Sequence, residues 1–139
     1  MDPEDVQSFF SWLSNELLLG DLGWLEDVFL YPYSLFIDGE IRVEHSPEET
    51  LDYLRSRRLD AQAIGIVSSA GQVREIGETR NQRFPVLVNY FFYNDLNERV
   101  ATNVSRYLCL QDEQGRLRIE SVEIKSSLIP FRDPTIIKT

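Results

Sequence analysis

Hydrophobic positions along the first third of the chain repeat with helical spacing. Val6, Phe9, Phe10, Leu13 and Leu17 fall at i, i+3, i+4, i+7 and i+11, one face of an α-helix. Asp2 suits the cap, Pro3 the first turn, and Glu4 and Asp5 the positive end of the dipole, while Gly20 ends the helix. Asp21 then caps a second, shorter helix carrying Leu22, Leu25, Val28 and Phe29, with Trp24 beside that stripe and Pro32 closing it. Residues 33–37 and 40–44 read as a hairpin joined by Asp38-Gly39, a pair suited to the positive φ of a type I′ turn. Ser46-Pro47-Glu48-Glu49 is a capping box with proline at the first helical position. The helix it starts buries Leu51, Leu54 and Tyr53 and is expected to end at Arg55, Arg57 and Arg58, against the negative end of the dipole.

From Ala61 the period changes. Runs at 62–77, 82–93, 99–111 and 116–128, rich in Val, Ile, Phe and Tyr, predict four long strands. Polar clusters at 78–81, 94–97 and 112–115 join them into an antiparallel meander. Ser68-Ser69-Ala70-Gly71 interrupts the first run, as a bulge or sharp bend would, and the tail at 130–139 reads as irregular. At 139 residues this is one domain, 1–139, of class α+β.

Composition narrows the chemistry. Lys and Arg number 14 against 23 Asp and Glu, a formal net charge of -9, which repels phosphate backbones and anionic lipid. Neither nucleic acid nor membrane is an expected partner. Acids at positions 2, 4 and 5 do not suit a signal peptide, Glu16, Asp21, Glu26 and Asp27 break the richest apolar stretch, and Cys109 has no cysteine to pair with. The cytoplasm is the expected location. No phosphate-binding glycine motif is present, and the single histidine, His45, limits any metal site to one imidazole. No cofactor or metal is implied. His45 reads as solvent-facing or locally hydrogen-bonded rather than catalytic, and Cys109 as a small buried side chain. The Asp2/Asp5, Glu48/Glu49 and Asp112/Glu113 pairs have structural reasons at helix starts and a turn. The arginine cluster reads first as a helix end and second as an anion site.

Polar residues inside the long strands point to a pocket. Pairing about the turn at 112–115 sets Tyr107 opposite Glu120 and Ser105 opposite Val122; pairing about 94–97 sets Val88 opposite Asn103 and Tyr90 opposite Ala101. Phe84, Tyr90, Asn103, Tyr107 and Glu120 are then the pocket candidates, in an apolar bowl with a few polar groups. The opposite face carries Arg106, Ser121, Glu123 and Lys125 among Leu87, Val104, Leu108 and Ile119, and is assigned to a dimer contact.

The order helix, helix, hairpin, helix, four strands resembles the nuclear-transport-factor-2-like (SnoaL-like) superfamily. The resemblance is carried by residues 32–43 (PYSLFIDGEIRV) before Ser46-Pro47-Glu48-Glu49, and by residues 115–123 (GRLRIESVE), which look like stretches of uncharacterised bacterial members. It implies a cone-shaped curved sheet, cystatin-like, wrapped around three helices, a ligand pocket at its mouth, and pairing into homodimers through the convex face. It fits a small, partly apolar ligand, with a SnoaL or ketosteroid-isomerase-like enzyme (isomerase, cyclase or dehydratase) or a protein-interaction module as alternatives. In the related isomerases a pocket carboxylate from the first hairpin region acts as base, but residues 33–37 contain no acid. Catalysis of that kind is therefore not expected. Glu120, beside Tyr107, is the best substitute base, and the competing reading pairs it with an arginine or turns it to solvent.

Overall fold

The computed structural model describes residues 1–127, so the tail at 130–139 lies outside the described residues. Helix α1 spans Pro3–Leu19, and the Asp2 carboxylate accepts the Glu4 amide at 2.9 Å. Val6, Phe10 and Leu13 are wholly buried. The expected second helix is a single turn, α2 (Leu25–Val28). Leu22 takes a left-handed φ of 64°, and Asp21 accepts the Gly23 amide instead of capping. Phe29 has already entered strand β1 (Phe29–Ile37), which contains Pro32. That proline sits where pairing with the neighbouring strand β6 (Leu117–Ser127) lapses between Phe29 and Ser34, so its missing N–H costs no ladder bond.

Strand β2 (Glu40–Glu44) completes the hairpin, with Asp38 and Gly39 at φ of 51° and 76° and Ile37 paired with Glu40. Ser46 caps α3 (Pro47–Ala63) by accepting the Glu49 amide, and the Glu49 carboxylate accepts the His45 amide. This helix runs past the three arginines through Ala63, beyond the expected end, and the following strand β3 begins only at Ser68 (Ser68–Ile76). Arg58 instead serves the end of α1, which has no basic residue in its last turn. Its guanidinium donates to the carbonyls of Glu16 (2.7 Å), Leu17 (2.8 Å) and Gly20 (2.7 Å), placing positive charge where the α1 dipole is negative.

With β4 (Arg83–Tyr93) and β5 (Arg99–Gln111), the strands form one mixed, open sheet of order β2-β1-β6-β5-β4-β3. Only the β1–β6 pair is parallel among these neighbours. Phe84, Val86, Val88 and Tyr90 of β4, and Tyr107 and Cys109 of β5, join the core with Phe10, Leu13, Leu25 and Val28, so the helices lie on one face. Against β5, β4 is shifted by two residues from the expected register: Tyr90 faces Asn103 and Val88 faces Ser105. An even shift leaves every side chain on its expected face. Between β5 and β6 the outcome differs. Cys109 pairs with Ile119 and Leu108 with Ser121, leaving Glu120 as an extra residue in a bulge, and Tyr107 therefore faces Val122. Ile119, expected on the outer face, is buried in the core beside Leu117 and Val122.

Gly71 makes no bulge; β3 slips one step further on, between Val73 and Glu75. A Cβ on Gly71 would lie 2.9 Å from the Phe10 carbonyl and 3.2 Å from the Tyr90 ring, because α1 crosses β3 there. Gln7 fixes the crossing by donating to the Gly71 carbonyl (2.9 Å) and accepting the Val73 amide (2.8 Å). Gly71→Ala should therefore destabilise the fold by about 2 kcal/mol through overpacking against backbone. Gly23→Ala, with nothing closer than 3.5 Å, is the control. Urea unfolding checks this, with a lower midpoint and an unchanged slope expected for the first variant alone.

Candidate functional site

Between the helices and the sheet lies a cavity of about 160 Å³. Ser14, Leu17 and Leu18 of α1 and Thr50, Tyr53, Leu54 and Arg57 of α3 face it from the helical side. From the sheet come Phe29, Tyr33 and Leu35 of β1, Glu44 of β2, Tyr90 and Phe92 of β4, Asn103, Ser105 and Tyr107 of β5, and Val122 and Ile124 of β6.

Glu44 is the notable member: a carboxylate residue only 1% exposed. Its position follows from the hairpin. The two-residue turn pairs Tyr33 with Glu44, and since Tyr33 faces the core, so does Glu44, while Ile41 and Val43 on the same strand stay exposed. Thr50, in the first turn of α3, donates to Oε1 at 2.8 Å, and Arg42 donates to Oε2 at 2.8 Å. Tyr31 in turn donates to the Thr50 hydroxyl at 2.8 Å. The carboxylate thus has a countercharge and a hydroxyl chain behind it, the conditions under which a buried charge is tolerated.

Hydroxyl groups supply the remaining polarity. Tyr90 and Tyr107 hydrogen-bond to each other at 2.6 Å. Two protons serve that one bond, so the pair retains a donor. Ser69 donates to the Ser14 carbonyl at 2.8 Å, which leaves the Ser14 hydroxyl to donate to Ser69 at 3.0 Å. Ser105 donates to the Asn103 side-chain oxygen at 2.5 Å. Tyr33 is 5% exposed as a residue, and its hydroxyl makes no hydrogen bond among the described residues but is not sealed from solvent. Burial pushes the Tyr33 phenol well above its ordinary range, with the Tyr107 and Glu44 charges adding to the effect. Tyr90 is likewise raised by burial and by Tyr107, and Tyr107 is raised by burial although its bond with Tyr90 acts in the opposite sense. These phenols are hydrogen-bond donors at neutral pH.

Of the five residues singled out from sequence, the structure brings Tyr90, Asn103 and Tyr107 together on the cavity wall. Phe84 is buried in the core and is not part of the lining. Glu120 is a correction. The bulge turns it away from the cavity, and Arg83 binds it twice, at 2.9 and 3.3 Å. His45 is exposed, with its amide bound by Glu49, and Cys109 is fully buried, its thiol pushed up by burial. Sequence reasoning missed Glu44, Thr50, Tyr33 and Tyr53. The signal for Glu44 was the Asp38-Gly39 turn, which fixes its partner, but the apolar Ile41 and Val43 point the pattern the wrong way.

This architecture is shared with solved structures at low sequence identity. A nuclear-transport-factor-2-like protein of unknown function from Shewanella oneidensis superposes with a TM-score of 0.66 at 18% identity, covering 89% of this chain and 98% of that one. A domain of unknown function with a cystatin-like fold from Nostoc punctiforme gives 0.64 at 13% identity, covering 88% and 75%. A ketosteroid isomerase-like protein from Erwinia carotovora gives 0.54 at 12% identity, covering 88% and 93%. The chain has the nuclear-transport-factor-2-like, cystatin-like fold. No family model and no curated protein matches its sequence.

The buried phenols carry a pH dependence whose sign follows from their shifts. In the unfolded chain a tyrosine releases its proton near pH 10. In the folded chain Tyr33, Tyr90 and Tyr107 hold theirs to higher pH. Their contribution to stability is complete below about pH 10 and is lost as pH rises from there through the folded values. An alkaline titration followed by phenolate absorbance and near-ultraviolet circular dichroism should show these three ionising only as tertiary structure is lost. Ionisation of every tyrosine near pH 10 in a chain that stays folded would contradict the burial described.

Proposed function

We propose that the protein binds a small, partly apolar molecule in the cavity between α1, α3 and the sheet. The observation that carries this reading is the pairing of a buried carboxylate, Glu44, with the Tyr33 hydroxyl, which makes no hydrogen bond among the described residues, in an otherwise largely apolar chamber. Polar groups set among apolar walls with open hydrogen-bond positions are the ones a ligand's polar atoms can meet. The reading is one of binding, with no reaction assigned. The substitute base weighed from sequence, Glu120, is engaged by Arg83 outside the chamber. The ketosteroid isomerase-like neighbour shares the fold and supports nothing more specific. The lone cysteine is a free, buried thiol, and the cytoplasm remains the proposed location.

The test is saturation-transfer NMR with ring-sized probes such as toluene and para-cresol, on the natural chain and on Val122→Phe, which fills the chamber. Saturable binding that the filled variant weakens by about tenfold or more supports the reading. No saturable binding of any such probe, or equal binding by both proteins, overturns it.

On the outer face, a second copy of this chain is the proposed partner. One row of outward residues crosses all six strands in register: Glu75, Leu87, Arg106, Glu123, Phe36 and Ile41. Apolar positions are mixed there with both signs of charge, the kind of surface that can meet itself about a two-fold axis. Light scattering at micromolar concentration should give twice the chain mass, falling to the monomer in Leu87→Glu combined with Arg106→Glu. A monomeric natural chain would end this assignment.

A further inference from the structure

The charges and the size of the chamber restrict its occupant further than binding alone, and this step rests on the binding reading above. The ionised side chains at the chamber are already engaged, Glu44 and Arg57 by a countercharge and Arg58 by carbonyls. Glu44 is ion-paired with Arg42 at 2.8 Å, Arg57 with Asp60 at 3.5 Å, and Arg58 holds three carbonyls at the negative end of α1. A ligand bringing a net charge would give up hydration without a free countercharge beside Glu44 to replace it. The chamber therefore favours a neutral molecule.

Its polar groups define two complementary ends. A carboxylate offers about four acceptor positions, and Thr50 and Arg42 occupy one on each oxygen of Glu44. The remaining positions accept a ligand O–H or N–H. The Tyr33 hydroxyl, with no partner of its own, and the Tyr90–Tyr107 pair, with its one spare proton, donate to a ligand oxygen. Tyr33 and Glu44 are direct cross-strand partners, and both line the chamber together with Tyr107. Apolar contacts from Leu35, Leu54, Phe92 and Val122 fill the space between. At about 160 Å³ the volume matches that of cavities that hold one benzene-sized ring, about 150 Å³.

We infer that the chamber selects a neutral, single-ring molecule carrying a hydroxyl or N–H donor for Glu44 and a carbonyl or hydroxyl oxygen for the tyrosines.

Titration calorimetry on the full chain at mildly acidic pH, where phenols are neutral, tests this with a panel of five probes. Para-hydroxyacetophenone carries both groups, acetophenone lacks the donor, and phenol lacks the acceptor. Para-hydroxybenzoate adds negative charge and tyramine positive charge. The expected result is that para-hydroxyacetophenone binds about tenfold more tightly than each of the other four. Glu44→Gln should remove its advantage over acetophenone, and Tyr33→Phe its advantage over phenol. Tyr33→Phe keeps the test decisive even if Glu44→Gln fails to fold, because the hydroxyl it removes makes no bond in the protein. Tightest binding of tyramine or para-hydroxybenzoate overturns the inference, as does an advantage that survives Tyr33→Phe. If the probes bind without this ranking, only the present inference falls; if none of them binds, the binding reading falls with it.

Discussion

Residues 34–37 of β1 lie alongside residues 121–124 of β6, parallel, in a sheet whose other neighbouring strands run antiparallel. This seam joins the two ends of the chain. It brings the N-terminal hairpin, with Tyr33, Leu35 and Glu44, against the long strands that carry Tyr90, Asn103 and Tyr107. Without it the meander β3 to β6 would still form by local turns, but the chamber would lack the wall that holds its carboxylate. Parallel pairing needs a long connection and is slow to form, because loop-closure entropy must be met before its contacts contribute. The chamber is therefore assembled from the most distant parts of the sequence.

The helices depend on that sheet in a second way. The end of α1 is neutralised by Arg58 from α3, and its middle is held to β3 by Gln7 across the bare backbone of Gly71. Both ties are polar contacts at the margin of an apolar core, and both fix orientation more than they add burial. They keep α1 and α3 as two lips of the chamber instead of letting Leu17 and Leu54 collapse onto Val122 and Ile124. A fold that keeps an unfilled space needs such props, since hydrophobic packing alone favours closing it.

Much of this was legible in the sequence, and the failures share a physical origin. Helical spacing, the cap signals at Asp2 and Ser46 and the change of period near Ala61 gave the architecture, and the Asp38-Gly39 turn gave the hairpin register to the residue. Tyr90, Asn103 and Tyr107 could be placed on one face because a two-residue slip preserves the side of the sheet. Glu120 and Ile119 could not, because a single extra residue in β6 inverts the alternation, and no local composition announces that insertion. The boundary of α3 was misplaced for a related reason: arginines that looked like a helix end were partners for another helix. Glu44 was hidden by its neighbours. An edge strand with Ile41 and Val43 facing water contradicts the ordinary rule that apolar residues point inward.

That inverted strand has a consequence for the protein as a solute. Strand β2 closes one border of the sheet, where its outer backbone N–H and C=O groups have no neighbouring strand among the described residues, and it displays Ile41 and Val43 beside them. Such a border is a template for adding strands from other molecules. Three features oppose that: the strand is five residues long, Glu40 and Arg42 interrupt its apolar side chains, and the chain carries a formal charge of -9. Long-range repulsion is the weakest of the three in salt, fading beyond about 10 Å at moderate ionic strength. The acidity that marks this sequence thus acts as colloidal protection for an edge that placing a glutamate indoors has turned outward, and concentrated salt is the condition under which that protection thins.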